Sequence, residues 1–407
     1  MYDVLMGDIM TNFEIIKTFE NIQADCIVGE NARICATNTT YSYGRVVYPV
    51  AGINGGKVYR VDLEYAVKNM DKNSRVAVMA SWSDTAGKYV RRYLKKTAPG
   101  NMSLKIQLPD DLSSLQIEMY MWSCGGGEAV FEKPQFTCIG EYKSRNVTLA
   151  TAWFDPRHQR KCEDNMEDIL RIIDNAGRAE TRPDVLVFSE NIYARKRGKS
   201  LQESALTWDS QPMKTLCAKA KEYNMYLVLG LFINQNGVFK NCAVIFGRDG
   251  SIAGVCEKTH LPLEEVEMGI APGNEFKVFD LDFGRVGILI CWDHFFSEPA
   301  RILQKMGAEV LLIPTIGITK YQVRARAADT GVYTLVSGQS DPDMNIIINP
   351  EGDIAAKVDD PELGFAAYTV DLNKTEYTHW MSVGDADGQA GELYMAERRP
   401  ELYGDLV

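Results

Sequence analysis

Three residues have the type and the placement for nucleophilic chemistry. Cys291 closes the apolar run Val286–Ile290 and precedes Trp-Asp-His-Phe-Phe-Ser-Glu-Pro, a turn into a helix. Ligand sites in open α/β sheets lie beyond the carboxyl ends of strands, where the backbone N–H groups of the following turn can face a developing oxyanion. Glu190 ends the apolar segment Asp184–Ser189. A carboxylate there is either solvated at the sheet edge or put to use, because an unpaired buried charge is costly. Lys258 directly follows the strand-like segment Ile252–Glu257. Singly, Cys291 reads as a core cysteine and the other two as solvated charges. Together they bring a thiol, a base and a cation to three strand ends. That is what a cysteine nucleophile needs, since only the thiolate attacks and something must generate and hold it.

Other catalytic signatures are missing from the sequence. It has no GxSxG elbow, no HExxH, no phosphate-cradling GxxxxGK[ST] and no strand–GxGxxG–helix. The four histidines, His158, His260, His294 and His379, are never spaced i, i+4, so no metal site is expected. The nine cysteines form no CxxC pair, which argues against a zinc ribbon or a thioredoxin-type centre. Cys242 and Cys256 lie in apolar settings, as buried reduced thiols do, and imply a reducing compartment. The N-terminal stretch MYDVLMGDIMTNFE carries acids where a signal peptide needs basic and then apolar residues. A cytoplasmic location is the expectation.

The elements that must position these residues follow from hydrophobic period. The chain has 407 residues, 45% hydrophobic and 24% charged, with a net charge of −11. That composition is ordinary for a globular protein. It lacks the basic footprint of a nucleic-acid or anionic-membrane partner. Its longest apolar runs, such as Tyr226–Phe232, fall far short of the ~20 residues of a membrane span. Residues 1–140 balance acidic against basic side chains, and all of the net negative charge lies beyond them. This shift suggests a boundary, with domains 1–141 and 142–407.

The first region reads as all-β, with short strands at Val46–Val50, Val58–Ala66, Arg75–Trp82, Lys105–Leu108 and Leu115–Trp122 separated by Gly-, Pro- and Asp-rich turns. Its basic stretch Tyr89–Lys96 is expected to be a solvated strand edge. After Tyr142 the pattern changes to β-α units and hairpins. Strands are expected at Val147–Phe154, Asp184–Ser189, Tyr226–Phe232, Val238–Phe246, Arg285–Trp292, Val310–Pro314, Tyr333–Ser337 and Asn345–Asn349. Helices are expected at Cys162–Arg178, Met213–Tyr223, Glu298–Met306 and Tyr321–Thr330. Residues 385–407 show no clear period. The whole is α+β.

From about residue 145 the motifs resemble the carbon–nitrogen hydrolase (nitrilase/amidase) superfamily. The carrying segments, in order, are VTLATAWFD, LVFSEN, EKTHLP, APGNEFKVFDLDFGRVGILICWDHFFSEPARIL, GAEVLLIPT, RARAADTGVYTLVSG and INPEGDIAAK before RRPELYG. The resemblance covers about two thirds of the chain, and Lys258 precedes Cys291 by 33 residues, a usual spacing for the family. It implies a four-layer α-β-β-α domain and a cysteine-dependent hydrolase with no cofactor. Glu190 would be the general base and Cys291 the nucleophile. Lys258 and the Trp292 backbone N–H would form the oxyanion hole. Members usually carry a second glutamate before a PG turn. Here Glu264, Glu265 and Glu267 compete; Glu267, five residues before Pro272, is preferred and Glu265 is next. Asn191, Tyr193, His294, Thr315 and Ile316 would line the substrate pocket by position. The implied reaction is hydrolysis of an amide or N-carbamoyl compound through a thioester. The alternatives are a nitrilase, or a non-catalytic scaffold with a glycan-binding domain. A homo-oligomer is expected.

The N-terminal region resembles a galactose-binding-like jelly roll of the carbohydrate-binding-module type, on the segments GKVYRVDLEYAV, WSDTAGKYV and GGGEAVFEKPQFTCI. Such a β-sandwich either delivers a glycosylated or polymeric substrate or serves packing and assembly. Its neutral charge and lack of an exposed aromatic cluster favour packing.

Overall fold

The computed structural model describes residues 14–15, 25–36, 42–72, 74–155, 161–194 and 201–404. The stretch weighed as a signal peptide and His158 lie essentially outside these. The chain forms two compact units: residues 1–143 with 376–407, and residues 144–375. The tail, expected in the second domain, therefore belongs to the first unit.

The second unit is layered. One six-stranded sheet contains Asn146–Ala152, Val185–Val187, Tyr226–Gln235, Val238–Phe246, Ile252–Glu257 and Phe365–Asp371. The other contains Val278–Leu281, Gly284–Ile288, Val310–Pro314, Tyr333–Ser337, Ile346–Ile348 and Ile354–Lys357. Their facing side chains, among them Val147, Val185, Val187, Val286, Val310 and Leu335, form a shared core. The alternate residues face outward under helices. Leu186, Phe188 and Leu229 pack with Ile169, Ile173 and Leu216 of helices Cys162–Gly177 and Gln211–Glu222. Leu311 and Ile313 pack with Leu303 and Val323 of helices Ser297–Lys305 and Lys320–Thr330. The order helix, sheet, sheet, helix is the four-layer arrangement implied by the resemblance.

The central strands are buried on both faces, whereas the edge strands Ile252–Glu257, Val278–Leu281 and Ile354–Lys357 are partly exposed. Val185–Val187 is only three residues long, yet consecutive side chains enter different cores. A slip by one residue would exchange the two sets. Both sets are apolar, so the slip would cost packing rather than burial: each core is filled by side chains of a given shape and would have to accommodate the other set.

The first unit holds two seven-stranded sheets, which share one core containing Ile34, Val61, Val78, Ile106, Ile117 and Phe131. Its strands include Ser42–Pro49, Lys57–Lys68, Arg75–Asp84, Asn101–Gln107 and Leu112–Cys124. The stretch expected to be a solvated edge is instead the interior strand Tyr89–Tyr93, followed by the exposed strand Lys95–Ala98. Arg91 contacts buried Glu118, and Arg92 donates Nε to Glu392 Oε2 at 2.8 Å. Glu392 lies in helix Ala390–Ala396, so the aperiodic tail is ordered by partners in the first unit. A seven-residue helix is too short to hold by itself. Its Leu393 packs with Met79, Tyr93 and Tyr120.

Candidate active site

Glu190 is delivered by a tight crossing. Gly230 on the neighbouring strand has no room for a side chain: a Cβ there would sit 2.4 Å from Glu190 Cα. Gly230 N donates to Ser189 O at 3.1 Å, and Ile192 N donates to Gly230 O at 3.1 Å. Between them Asn191 takes a left-handed turn (φ 51°), a conformation that asparagine tolerates better than most residues. Lys258 N donates to Asn241 O at 2.9 Å, and Gly273 N donates to Lys258 O at 2.8 Å. Cys291 follows the strand that ends at Ile288, two residues of extended chain later, and opens a 3₁₀ turn, Cys291–Phe295. The expected strand Arg285–Trp292 thus stops before the cysteine. Cys291 itself has φ 44°. A non-glycine residue held there costs on the order of 1–3 kcal/mol, and such strain gathers at functional sites.

The side chains meet in one buried cluster. Lys258 Nζ lies 2.8 Å from Glu190 Oε1 and 2.9 Å from Glu265 Oε2. Asn241 Nδ2 donates to Glu190 Oε1 and to Glu265 Oε1, each at 2.7 Å. Gln339 Nε2 donates to the Glu190 backbone carbonyl. Glu190 is 0% and Lys258 1% exposed. Glu190 Oε2 has no hydrogen-bond partner among the described residues, whereas Oε1 is doubly claimed.

Burial alone would lower the Lys258 pKa, but the charges of Glu190, Cys291 and Glu265 raise it overall, so the ammonium persists. Burial, and then the Glu190 charge, push the Cys291 thiol up. Lys258, the Thr315 side chain and the Ile316 backbone act the other way. Glu265 is also raised, by burial first and Glu190 second, against Lys258 and Asn241.

The preferred fourth residue requires correction. Glu267 is exposed, and Glu265 reaches Lys258. Both lie on the short helix Leu263–Glu267. Residues two apart on a helix point to nearly opposite sides, so only one can face inward. Counting back from Pro272 could not see this helix or the left-handed turn at Gly269 (φ 81°). Thr315 and Ile316 are at the thiol. Asn191 adjoins Glu190 and is 5% exposed. Tyr193 is half-buried, with burial raising its hydroxyl pKa to about 12. Trp292 is 40% exposed. His294 is fully buried, and burial, its largest influence, lowers its pKa to about 4. It is therefore a neutral imidazole packed beside Phe295. Asn241 and Gln339 escaped the sequence reading. The one available signal for Asn241 was a polar residue entering the apolar strand segment NCAVIF.

The sequence matches the family model "Carbon-nitrogen hydrolase" over residues 152–379, more than half the chain. The chain belongs to the carbon–nitrogen hydrolase family. This carbon–nitrogen hydrolase is 25% identical over 228 residues (51% of the chain, 78% of the relative) to "Probable nitrilase C965.09" of Schizosaccharomyces pombe. It is 28% identical over 200 residues (43% and 72%) to "Omega-amidase NIT2" of Homo sapiens. It is 34% identical over 128 residues (30% and 45%) to "Citrullinase" of Francisella tularensis, so it spans less than half the length of that relative. Among solved structures, the Caenorhabditis elegans NitFhit protein superposes with a TM-score of 0.53 at 19% identity, over 64% of this chain and 67% of that one. That likeness bears on the fold. The chain is a hydrolase of the nitrilase/amidase superfamily, and no described helix is long and apolar enough to cross a membrane.

Proposed function

We propose that the protein is an amidase-type hydrolase that cleaves the C–N bond of a small amide or N-carbamoyl compound through a Cys291 thioester. The observation that carries this reading is the division of labour on Glu190. Oε1 is held by Lys258 and Asn241, and Oε2 is left to take a proton. In the reaction, Cys291 Sγ attacks the carbonyl carbon as Glu190 accepts the thiol proton. The tetrahedral oxygen is stabilised by Lys258 and the Trp292 N–H. Glu190 returns the proton to the departing nitrogen, leaving the acyl group on sulfur. Glu190 then deprotonates water, which attacks the thioester, releases the acid and restores the thiol. The cycle uses only protein groups. Glu265 keeps Lys258 paired and poised, and Asn191, Tyr193, His294, Thr315 and Ile316 shape the substrate end.

The relatives include a probable nitrilase, an omega-amidase and a citrullinase, so the acyl donor is chosen by experiment. Ammonia release across amides, ureido acids and nitriles identifies it. Cys291→Ala abolishes turnover in a folded protein, and mass spectrometry of the working enzyme finds the acyl adduct on Cys291. Retained turnover in Cys291→Ala refutes the reading. The same proposal includes a cytoplasmic, homo-oligomeric enzyme without a nucleic-acid or membrane partner. It also includes a jelly-roll first unit serving packing rather than glycan capture.

A further inference from the structure

One carboxylate joins the lysine segment to the nucleophile turn. Asp293 is 3% exposed and lies two residues after Cys291. Its Oδ1 accepts from Thr259 Oγ1 at 2.7 Å, from His260 N at 2.8 Å and lies 2.8 Å from His260 Nδ1. Its Oδ2 accepts from Ile290 N at 3.1 Å, and Asp293 N donates to Ile290 O at 3.0 Å. Thr259 and His260 directly follow Lys258, and Ile290 directly precedes Cys291. The His260 ring is stacked between Phe296 (4.2 Å) and Phe276 (6.2 Å). Phe296 in turn meets Trp292 edge-on at 6.0 Å.

We propose that Asp293 and His260 are positioning residues: a clasp that sets the spacing between Lys258 and Cys291 and holds Cys291 in its left-handed turn. The inference rests on the nucleophile reading of Cys291. Both oxygens of the carboxylate are used, and all of its bonds go to the two segments flanking the reactive groups. A 3₁₀ turn of five residues does not hold a non-glycine residue at φ 44° unaided. The Oδ2 bond to Ile290 N pins the residue before the strained one. The three contacts on Oδ1 pin the chain just beyond Lys258. Among the described residues, no hydrogen bond or ion pair joins either side chain to Glu190, Lys258 or Glu265, so the two act through the chain segments that carry Lys258 and Cys291. The aromatic stack extends the clasp to Trp292, whose backbone N–H faces the reacting carbonyl in the proposed cycle.

The test uses iodoacetamide on the full chain, with peptide mass spectrometry reporting alkylation at Cys291. Its concentration dependence separates a limiting rate, set at the sulfur, from a half-saturating concentration, set by binding. Asp293→Asn turns one acceptor oxygen into a donor facing other donors. A displacement of the nucleophile by about 1 Å can cost ~10²-fold, so Asp293→Asn is expected to lower the limiting rate ~10- to 100-fold and leave half-saturation within ~3-fold. His260→Phe keeps the stack and loses the Nδ1 contact. It is expected to lower the limiting rate less, ~3- to 10-fold, with an unchanged melting temperature. The double variant is expected to be no slower than Asp293→Asn, because one clasp is removed once. Folded variants that alkylate at the wild-type rate overturn the proposal, as does a change confined to half-saturation. If Asp293→Asn does not fold, His260→Phe decides alone: wild-type alkylation overturns the clasp. A wild-type Cys291 no more reactive than the other cysteines is a separate result, which refutes the nucleophile reading and the clasp with it.

Discussion

Replacing Glu265 by Gln removes one of the two charges that flank Lys258 while keeping an oxygen for Asn241 Nδ2. The Lys258 Nζ–Glu265 Oε2 separation is 2.9 Å. At an effective dielectric near 20, unit charges at that distance attract by about 6 kcal/mol before desolvation is subtracted. Most of this is offset by the cost of keeping both groups from water. Glu190 remains 2.8 Å from the ammonium, so Lys258 is not left without an anion. The net loss is expected at about 1.4–2.7 kcal/mol. It appears as a ~10- to 100-fold fall in kcat, because Lys258 then draws on Glu190 alone and weakens it as a base. Glu267→Gln, on the same short helix but in solvent, is expected to stay within ~2-fold, as isolated surface changes do. Initial rates of ammonia release on the best amide, with melting temperatures as the folding control, compare the two. A larger loss from Glu267→Gln, or a folded Glu265→Gln with wild-type kcat, refutes the reasoning.

Three further outcomes are expected. Glu190→Gln keeps the shape and removes the base, lowering kcat at least ~10²-fold, and steady-state kinetics check it. His294 has its pKa lowered from 6.5 to about 4, so on acidification the unfolded chain binds its proton first. Its stabilising effect is present above pH 6.5 and lost on falling toward pH 4. About 2 kcal/mol of the hydrolase unit's stability should go between pH 7 and pH 5. Urea unfolding at both pH values should show less of this loss in His294→Phe; an equal loss contradicts the assignment. A fragment beginning at residue 142 and running to 407 keeps the tail without its partners, exposing Val383, Ala386 and Leu393, which are otherwise buried with Met79 and Tyr120. It should aggregate more than residues 144–375 alone, as size-exclusion chromatography would reveal. A monodisperse 142–407 fragment counts against the packing role.

Hydrophobic period and turn chemistry carry far in this chain because its strands are buried on one or both faces. The helices over Cys162–Gly177 and Lys320–Thr330, and the strands Val238–Phe246, Val310–Pro314 and Tyr333–Ser337, lie where apolar spacing puts them. The order of Glu190, Lys258 and Cys291, each just past an apolar run, was also legible, because local sequence decides what a strand end carries. What local sequence could not decide is which polar groups meet once strands from distant parts of the chain are paired. Glu265 rather than Glu267 faces Lys258 because a five-residue helix turns one inward and the other out. Asn241 joins the cluster because its strand lies beside the one bearing Gly230, and Gln339 does so from the loop that follows strand Tyr333–Ser337 of the other sheet. Tertiary pairing likewise buried Arg92 against Glu392 and drew the tail into the first unit, contacts between residues 300 positions apart. The turn at Cys291 is of mixed origin. The sequence names the residue and, two positions on, the Asp293 that bonds Ile290 N locally, whereas the bonds of Asp293 to Thr259 and His260 come only with the fold.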